Sequence, residues 1–242
     1  MIRLHKSTNI PATLTSQAVQ NEKNNLGSMV GSGTYPSSAN FKSNLYGAHD
    51  VRDQLKADQN SKCVFCESIC KGEVEHYRPK TAVIQGKGGC KQIPAYYNLG
   101  YEWSNLTLCC HDCNNKKSDY FPLQNPNARF NVNAEVPLII NPYDEDPALH
   151  LEFRRNLLFP RNDNDGNEDP KGRCTIDYLD LNREDLKERR RRRLLEFDNN
   201  KKRLNLSFDA MLRQEIQDAT NDGRTAESIE FFGMFTNQTY KF

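Results

Sequence analysis

No part of this 242-residue sequence stays apolar for long. Its densest run, VPLII at 136–140, is five residues, against the ~20 that a bilayer-spanning helix needs. The opening MIRLHKSTNIPATL lacks the apolar centre of a secretory signal. A soluble, cytoplasmic protein with no membrane contact is therefore expected. Only 36% of residues are apolar and the mean hydropathy is −0.83, so the core shares the chain with much solvated surface, although the length suffices for one or two domains. An excess of charge of either sign is also lacking. Lys and Arg total 33 against 32 Asp and Glu, a net charge of +1, which excludes a global basic field and confines any nucleic-acid footprint to local patches. No internal repeat is evident.

Cysteine, by contrast, is plentiful at eight residues. In a reducing compartment a CxxC pair points to metal or redox chemistry before a structural disulfide. Two such pairs occur, Cys63/Cys66 and Cys110/Cys113, with 43 residues between them. Each can bring two thiolates onto one ion, and four complete a tetrahedral structural zinc site with no open position for substrate. The register leaves alternatives: Cys109 adjoins Cys110, and His111 lies inside the second pair. The four-residue spacing of Cys109 and Cys113 suits a knuckle less well, and His111 is expected at the surface. A thioredoxin-like redox motif needs only one CxxC, so the second argues against it. Cys70, Cys90 and Cys174 read as free thiols.

Along the chain, residues 1–44 read as an N-terminal extended or mobile segment, because the stretch over 23–44 is rich in Gly, Ser and Asn with almost no periodic apolar pattern. Leu45, Ala48, Val51 and Leu55 recur at helical spacing. Residues 45–125 form a metal-organised module that includes a Gly-rich loop within 84–97, and 126–242 form a mostly helical region. In the latter, VPLIINP predicts a short buried strand stopped by Pro142. LNREDLKERRRRRLLEF predicts a long helix with Asn182 as N-cap, Glu184 and Asp185 at its positive end, and an apolar stripe running on to Ile216. Arg189 to Arg193 cover all sides of that helix, as a solvated face paired with neighbouring acids or as a phosphate-tracking face. The aromatic segment SIEFFGMFTNQTYKF packs on the core or docks a partner. His150 is expected to serve structure.

Between the CxxC pairs lies VEHYRPK, and the second pair sits within YEWSNLTLCCHDCNNKK. Taken alone, His76 is a base, a metal ligand or a surface histidine. Its company decides: Glu75-His76 with Pro79, Asn105-Leu106, then Cys110, Cys113 and Asn114, the last three at +5, +8 and +9 from Asn105. This arrangement resembles the HNH, or ββα-metal, endonuclease family. More narrowly, the order CVFCE, VEHYRPK, YEWSNLTLCCHDCNNKKSDYFPL, NPYDEDPALHLEF and TIDYLDLNREDLKERR is similar to the Septu-type and retron-associated HNH nucleases of bacterial anti-phage systems, the PtuB kind, over about residues 45–195.

The resemblance implies an α+β fold in which a zinc-stapled, treble-clef ββα-metal module carries flanking helical segments. It implies metal-dependent hydrolysis of nucleic-acid phosphodiesters, DNA in preference to RNA such as tRNA, gated by an ABC/AAA-type, PtuA-like ATPase, with a retron reverse transcriptase as a further possible partner. The catalytic set would be His76, Asn105 and Asn114. A neutral histidine accepts a water proton near pH 7, so His76 is the general base, with Asn105 fixing the loop around it. Glu75 and Asn114 would hold Mg²⁺ or Mn²⁺, which favour oxygen ligands. Adjacent strand residues point to opposite faces, so Glu75 and His76 can meet one site only at a strand end or bend. The family more often has His at the position of Asn114 and Asp at that of Glu75; Asn114 leaves an oxygen ligand there, and the reach of Glu75 to the ion differs by one methylene. Arg78 and Lys117 are candidate phosphate contacts. The alternative from another class is a non-catalytic zinc adaptor.

Overall fold

Ser16 begins the first helix by accepting a hydrogen bond from the Val19 amide on its side chain, as an N-cap should. The computed structural model describes residues 1–237, and α1 spans Gln17–Gly31. The extended segment expected over 23–44 is thus helical to residue 31. Two buried residues, Val19 and Leu26, lie two turns apart and pack with Phe41 and Tyr101. Side-chain amide pairs Gln17–Asn21 and Gln20–Asn24 support the exposed face. Beyond it the stripe from Leu45 to Leu55 divides at Gly47 into α2 (Ser43–Tyr46) and α3 (His49–Asp58). Val51 and Leu55 of α3 bury completely in a small core with Leu14, Trp103, Leu106 and Leu108.

Three two-stranded antiparallel sheets follow among the described residues. Strand β1 (Glu73–His76) pairs with β4 (Leu106–Cys109), while β2 (Val83–Ile84) pairs with β3 (Lys91–Gln92) inside the long connection. In the first sheet Glu75 lies opposite Thr107 and His76 opposite Leu106. Gly72 turns the chain into β1 with φ +70°, and a Cβ there would lie 2.3 Å from Leu108 Cγ, so both backbone and space demand glycine. Helix α4 (His111–Lys117) follows β4 directly and packs on β1. The third sheet pairs β5 (Leu151–Arg154) with β6 (Leu157–Pro160), and α5 (Pro170–Leu179) lies against β6.

The strand expected at VPLII does not form. Ile139 and Ile140 are buried as the pattern requires, but Pro137 makes only an isolated bridge to Leu123, and a proline offers no ladder donor. The single long helix is divided as well. Helix α6 (Glu184–Leu204) ends at Asn205 in the left-handed conformation, and Ser207 then caps α7 (Phe208–Asn221). Asn182 is not the N-cap of α6. Its side chain donates to Leu158 O and accepts from Leu158 N, tying this loop to β6. Of the arginine run, Arg190 is fully buried and donates to Leu181 O at 2.7 Å. Arg189, Arg191, Arg192 and Arg193 pair with Glu230, Glu188, Glu188 and Glu215. Phe231, Met234 and Phe235, the last two within α8 (Phe232–Thr236), close the main core; the final residues of the aromatic segment, 238–242, lie outside the described range. His150 bridges Asp169 and Glu145 through its two ring nitrogens. Among the described residues no helix is long and apolar enough to cross a membrane.

Candidate functional site

The thiolate cluster and the acidic–histidine pair stand at opposite ends of one hairpin. Sulfur atoms of Cys63, Cys66, Cys110 and Cys113 all lie within 4.8 Å of one another. Two tight turns create this geometry. In the first, Cys63 N donates to Ser68 O and Glu67 N to Cys63 O. In the second, Cys110 sits at the N-cap of α4, one turn before Cys113. Burial opposes ionisation of Cys63, but hydrogen bonds from the neighbouring thiols outweigh it and lower its pKa; those of Cys110 and Cys113 lower that of Cys66. Arg183 brings a guanidinium nitrogen to 3.6 Å from Cys113 Sγ. The same thiol–thiol bonds raise the pKa values of Cys110 and Cys113, so without an ion the four sulfurs share their protons unequally; four sulfurs this close can hold a metal such as zinc. Cys109, 3.9 Å from Cys63, stands beside this set, and burial raises its pKa. Of the other three cysteines, Cys90 is exposed and Cys70 and Cys174 are half-buried.

At the far end of the hairpin, Glu75, His76 and Asn114 line one small cavity of about 180 Å³, together with Ser38, Pro79, Lys80, Thr81, Ser118 and Asp119. The strand ends at His76, and Tyr77 N already bonds to Asn105 O, which lets neighbouring side chains reach the same space. His76 is almost fully buried. Its Nε2 lies 2.9 Å from Gly100 O and its Nδ1 3.2 Å from Lys80 Nζ. A carbonyl can only accept, so Nε2 carries the proton and Nδ1 presents the lone pair. Burial, then the charge of Lys80, lowers the His76 pKa well below its ordinary value, so the ring is neutral at physiological pH. Tyr46 packs edge-on against it with centroids 4.7 Å apart.

Asn105 does not touch the imidazole. Its amide accepts from Arg78 N and donates to Arg78 O and Leu99 O, clamping the segment that supplies Gly100 to the strand end. Asn114 donates to Glu73 Oε2 at 2.7 Å, which leaves its Oδ1 without a donor among the described residues. Glu73 also meets His111 at 3.0 Å, so His111 is exposed and turned away from the sulfurs. Lys117 is completely buried and donates to Glu75 Oε1 at 2.7 Å and His76 O at 2.9 Å. It offers no surface to a phosphate and instead ties α4 to β1. Arg78 is likewise committed, to Glu135 Oε2 at 2.9 Å. Sequence reasoning passed over Glu73, Lys80 and Asp119. The acids stand two residues before Glu75 and two after Lys117, so proximity to the motif was the available signal.

No protein-family model matches the sequence. The chain is 34% identical over 167 residues to Septu protein PtuB of Bacillus mycoides (strain KBAB4), a match covering 65% of this chain and 55% of that protein. It is also 29% identical over 154 residues to Septu protein PtuA of the same organism, covering 60% of this chain and 21% of that one. The chain therefore spans about half of PtuB and about a fifth of PtuA. The resemblance to Septu-type proteins, read first from the motifs, is shown by these similarities.

Proposed function

We propose that the chain is a metal-dependent HNH-type endonuclease, built on a zinc-stapled ββα-metal module, that hydrolyses nucleic-acid phosphodiesters, DNA in preference to RNA, in anti-phage defence. The observation that carries this reading is His76: a buried, neutral imidazole that donates from Nε2 to Gly100 O, holds its unprotonated Nδ1 3.2 Å from Lys80, and lines the cavity shared with Glu75 and Asn114. A core histidine with only a structural role has no need to line a cavity together with a carboxylate and an amide.

Zn²⁺ suits the four cysteines, and the oxygens of Glu75 and Asn114 suit Mg²⁺ or Mn²⁺. The divalent ion, when bound, supplies charge that polarises the phosphate and stabilises the departing oxygen. His76 Nδ1 takes the proton of a water as that water attacks phosphorus, and the P–O3′ bond breaks. The Gly100 carbonyl stabilises the imidazolium that forms, because its hydrogen bond from Nε2 strengthens as the ring gains charge. Asn105 is a positioning residue, keeping Gly100 in place, and Lys117 orients Glu75. Similarity to Septu proteins supports a defence role and a PtuA-like, ATPase-type partner that gates the activity.

The test is nicking or linearisation of plasmid DNA with Mg²⁺ or Mn²⁺, with and without the PtuA-like partner. Loss of a general base removes roughly 10²–10⁴ in rate, so His76→Ala should be silent where the wild type cleaves. Equal cleavage by the two proteins removes His76 from the chemistry, and a wild type that binds DNA without cleaving it leaves the adaptor reading.

A further inference from the structure

Lys80 lines the cavity, and three other cations, paired to its acids or close to Lys80 in sequence, are already neutralised. Arg78 pairs with Glu135, Lys91 with Asp119 and Lys117 with Glu75. Lys80 alone of the four makes no ion pair among the described residues. Its ammonium lies instead 3.2 Å from His76 Nδ1, with the Tyr46 and Phe41 ring centroids 4.9 and 5.6 Å away. The backbone beneath it is fixed, since Tyr96 N donates to Pro79 O and Ala95 N to Thr81 O. What can move is the four-carbon stem.

Resting on the nuclease reading, we infer that Lys80 is the phosphate-contacting residue of this cleft, parked on the base nitrogen when the cleft is empty and drawn to a phosphate oxygen when substrate enters. The carboxylates of Glu75 and Asp119 line the cleft and already occupy Lys117 and Lys91, so a further side-chain cation has to attract an entering phosphodiester monoanion. Lys80 is the side chain able to do so without breaking an existing ion pair. In the empty site its N–H satisfies the imidazole lone pair and occupies the position from which a water would give up a proton. The neutral ring offers the ammonium a lone pair but no opposite charge, whereas a phosphate oxygen offers both, so a bound phosphate draws the ammonium away from the ring. Substrate thereby uncovers its own base.

Two arms test this. In a His76→Ala background, which removes hydrolysis, binding of a fluorescein-labelled DNA duplex is followed by anisotropy across NaCl concentrations with Ca²⁺ present. Adding Lys80→Met should flatten the slope of log Kd against log salt by about 0.9, the value of one lost phosphate contact. In the otherwise wild-type protein, Lys80→Met should lower kcat/KM on the plasmid about 10-fold or more, and Lys80→Arg should restore most of it. Lys80→Gln replaces Lys80→Met if the latter does not fold, as judged by circular dichroism and zinc content. If wild type cleaves and His76→Ala does not, yet removal of Lys80 changes neither slope nor rate, the Lys80 assignment is overturned and the nuclease reading stands. If wild type does not cleave, both fall.

Discussion

Replacing Lys117 with methionine keeps an unbranched, fully buried side chain one atom shorter and removes its charge and its N–H donors. The ammonium donates to Glu75 Oε1 at 2.7 Å and to His76 O at 2.9 Å. A buried carbonyl left without its donor costs about 1–3 kcal/mol, and breaking a buried ion pair by removing one partner costs about 3–5 kcal/mol. The Glu75 side chain is 14% exposed and faces the cleft, so water recovers part of the second cost. A net loss of about 3 kcal/mol is expected, and in a chain of this length that lowers Tm by roughly 6–12 °C. Urea denaturation of the wild type, Lys117→Met, Glu75→Gln and the double variant closes a mutant cycle. Coupling of about 1–3 kcal/mol between the two positions is expected, because the double variant no longer carries an orphaned carboxylate. A loss below about 1 kcal/mol with no coupling would refute the idea that this pair locks α4 onto the strand bearing His76.

The thiolate cluster makes metal removal a folding experiment: chelation, or Cys66→Ser, should abolish cooperative unfolding because a structural metal contributes folding free energy. A chelated protein with an unchanged melting curve would rule out a structural metal there. At Gly72 the positive φ and the 2.3 Å approach to Leu108 predict that Gly72→Ala costs about 2–4 kcal/mol in urea titrations; an unmoved midpoint contradicts the close contact. Lys6 is largely buried against Trp103 and Tyr143, and burial lowers its pKa from 10.5 to about 7. Between those values the unfolded chain binds a proton that the folded chain does not, so stability should rise as pH climbs from about 7 to about 10.5. Lys6→Met should flatten that rise, and identical pH profiles for the two proteins would count against it.

Features set by local spacing were legible in the sequence, and those set by distant partners were not. Two CxxC pairs converge because each is closed by its own tight turn, so spacing was enough to nominate Cys63, Cys66, Cys110 and Cys113. The offsets from Asn105 to Asn114 similarly follow from one strand running into one helix. Helix α1 was missed because Gly27, Gly31 and several asparagines obscure a stripe of only two buried residues, although the Ser16 cap and its i,i+4 amide pairs were there to be read. The division between α6 and α7 turns on a left-handed Asn205, a residue that helical periodicity passes over. Arg190 could not be placed, since its partners, Leu181 O and the rings of Phe153 and Phe231, come from elsewhere in the chain. Lys117 has a favourable position for phosphate in the motif, but its acid, Glu75, lies 42 residues away in sequence and claims it first.

Helix α6 carries five consecutive arginines, yet one is sunk in the core and the other four are matched to glutamates. With a net charge of +1, the molecule projects little long-range attraction towards a polyanion, and association driven by its own field falls off steeply with salt. Encounter with nucleic acid is then slow and indiscriminate scanning is weak. On the nuclease reading proposed above, a muted surface is a form of restraint: delivery to a target has to come from whatever holds the nucleic acid beside the cleft.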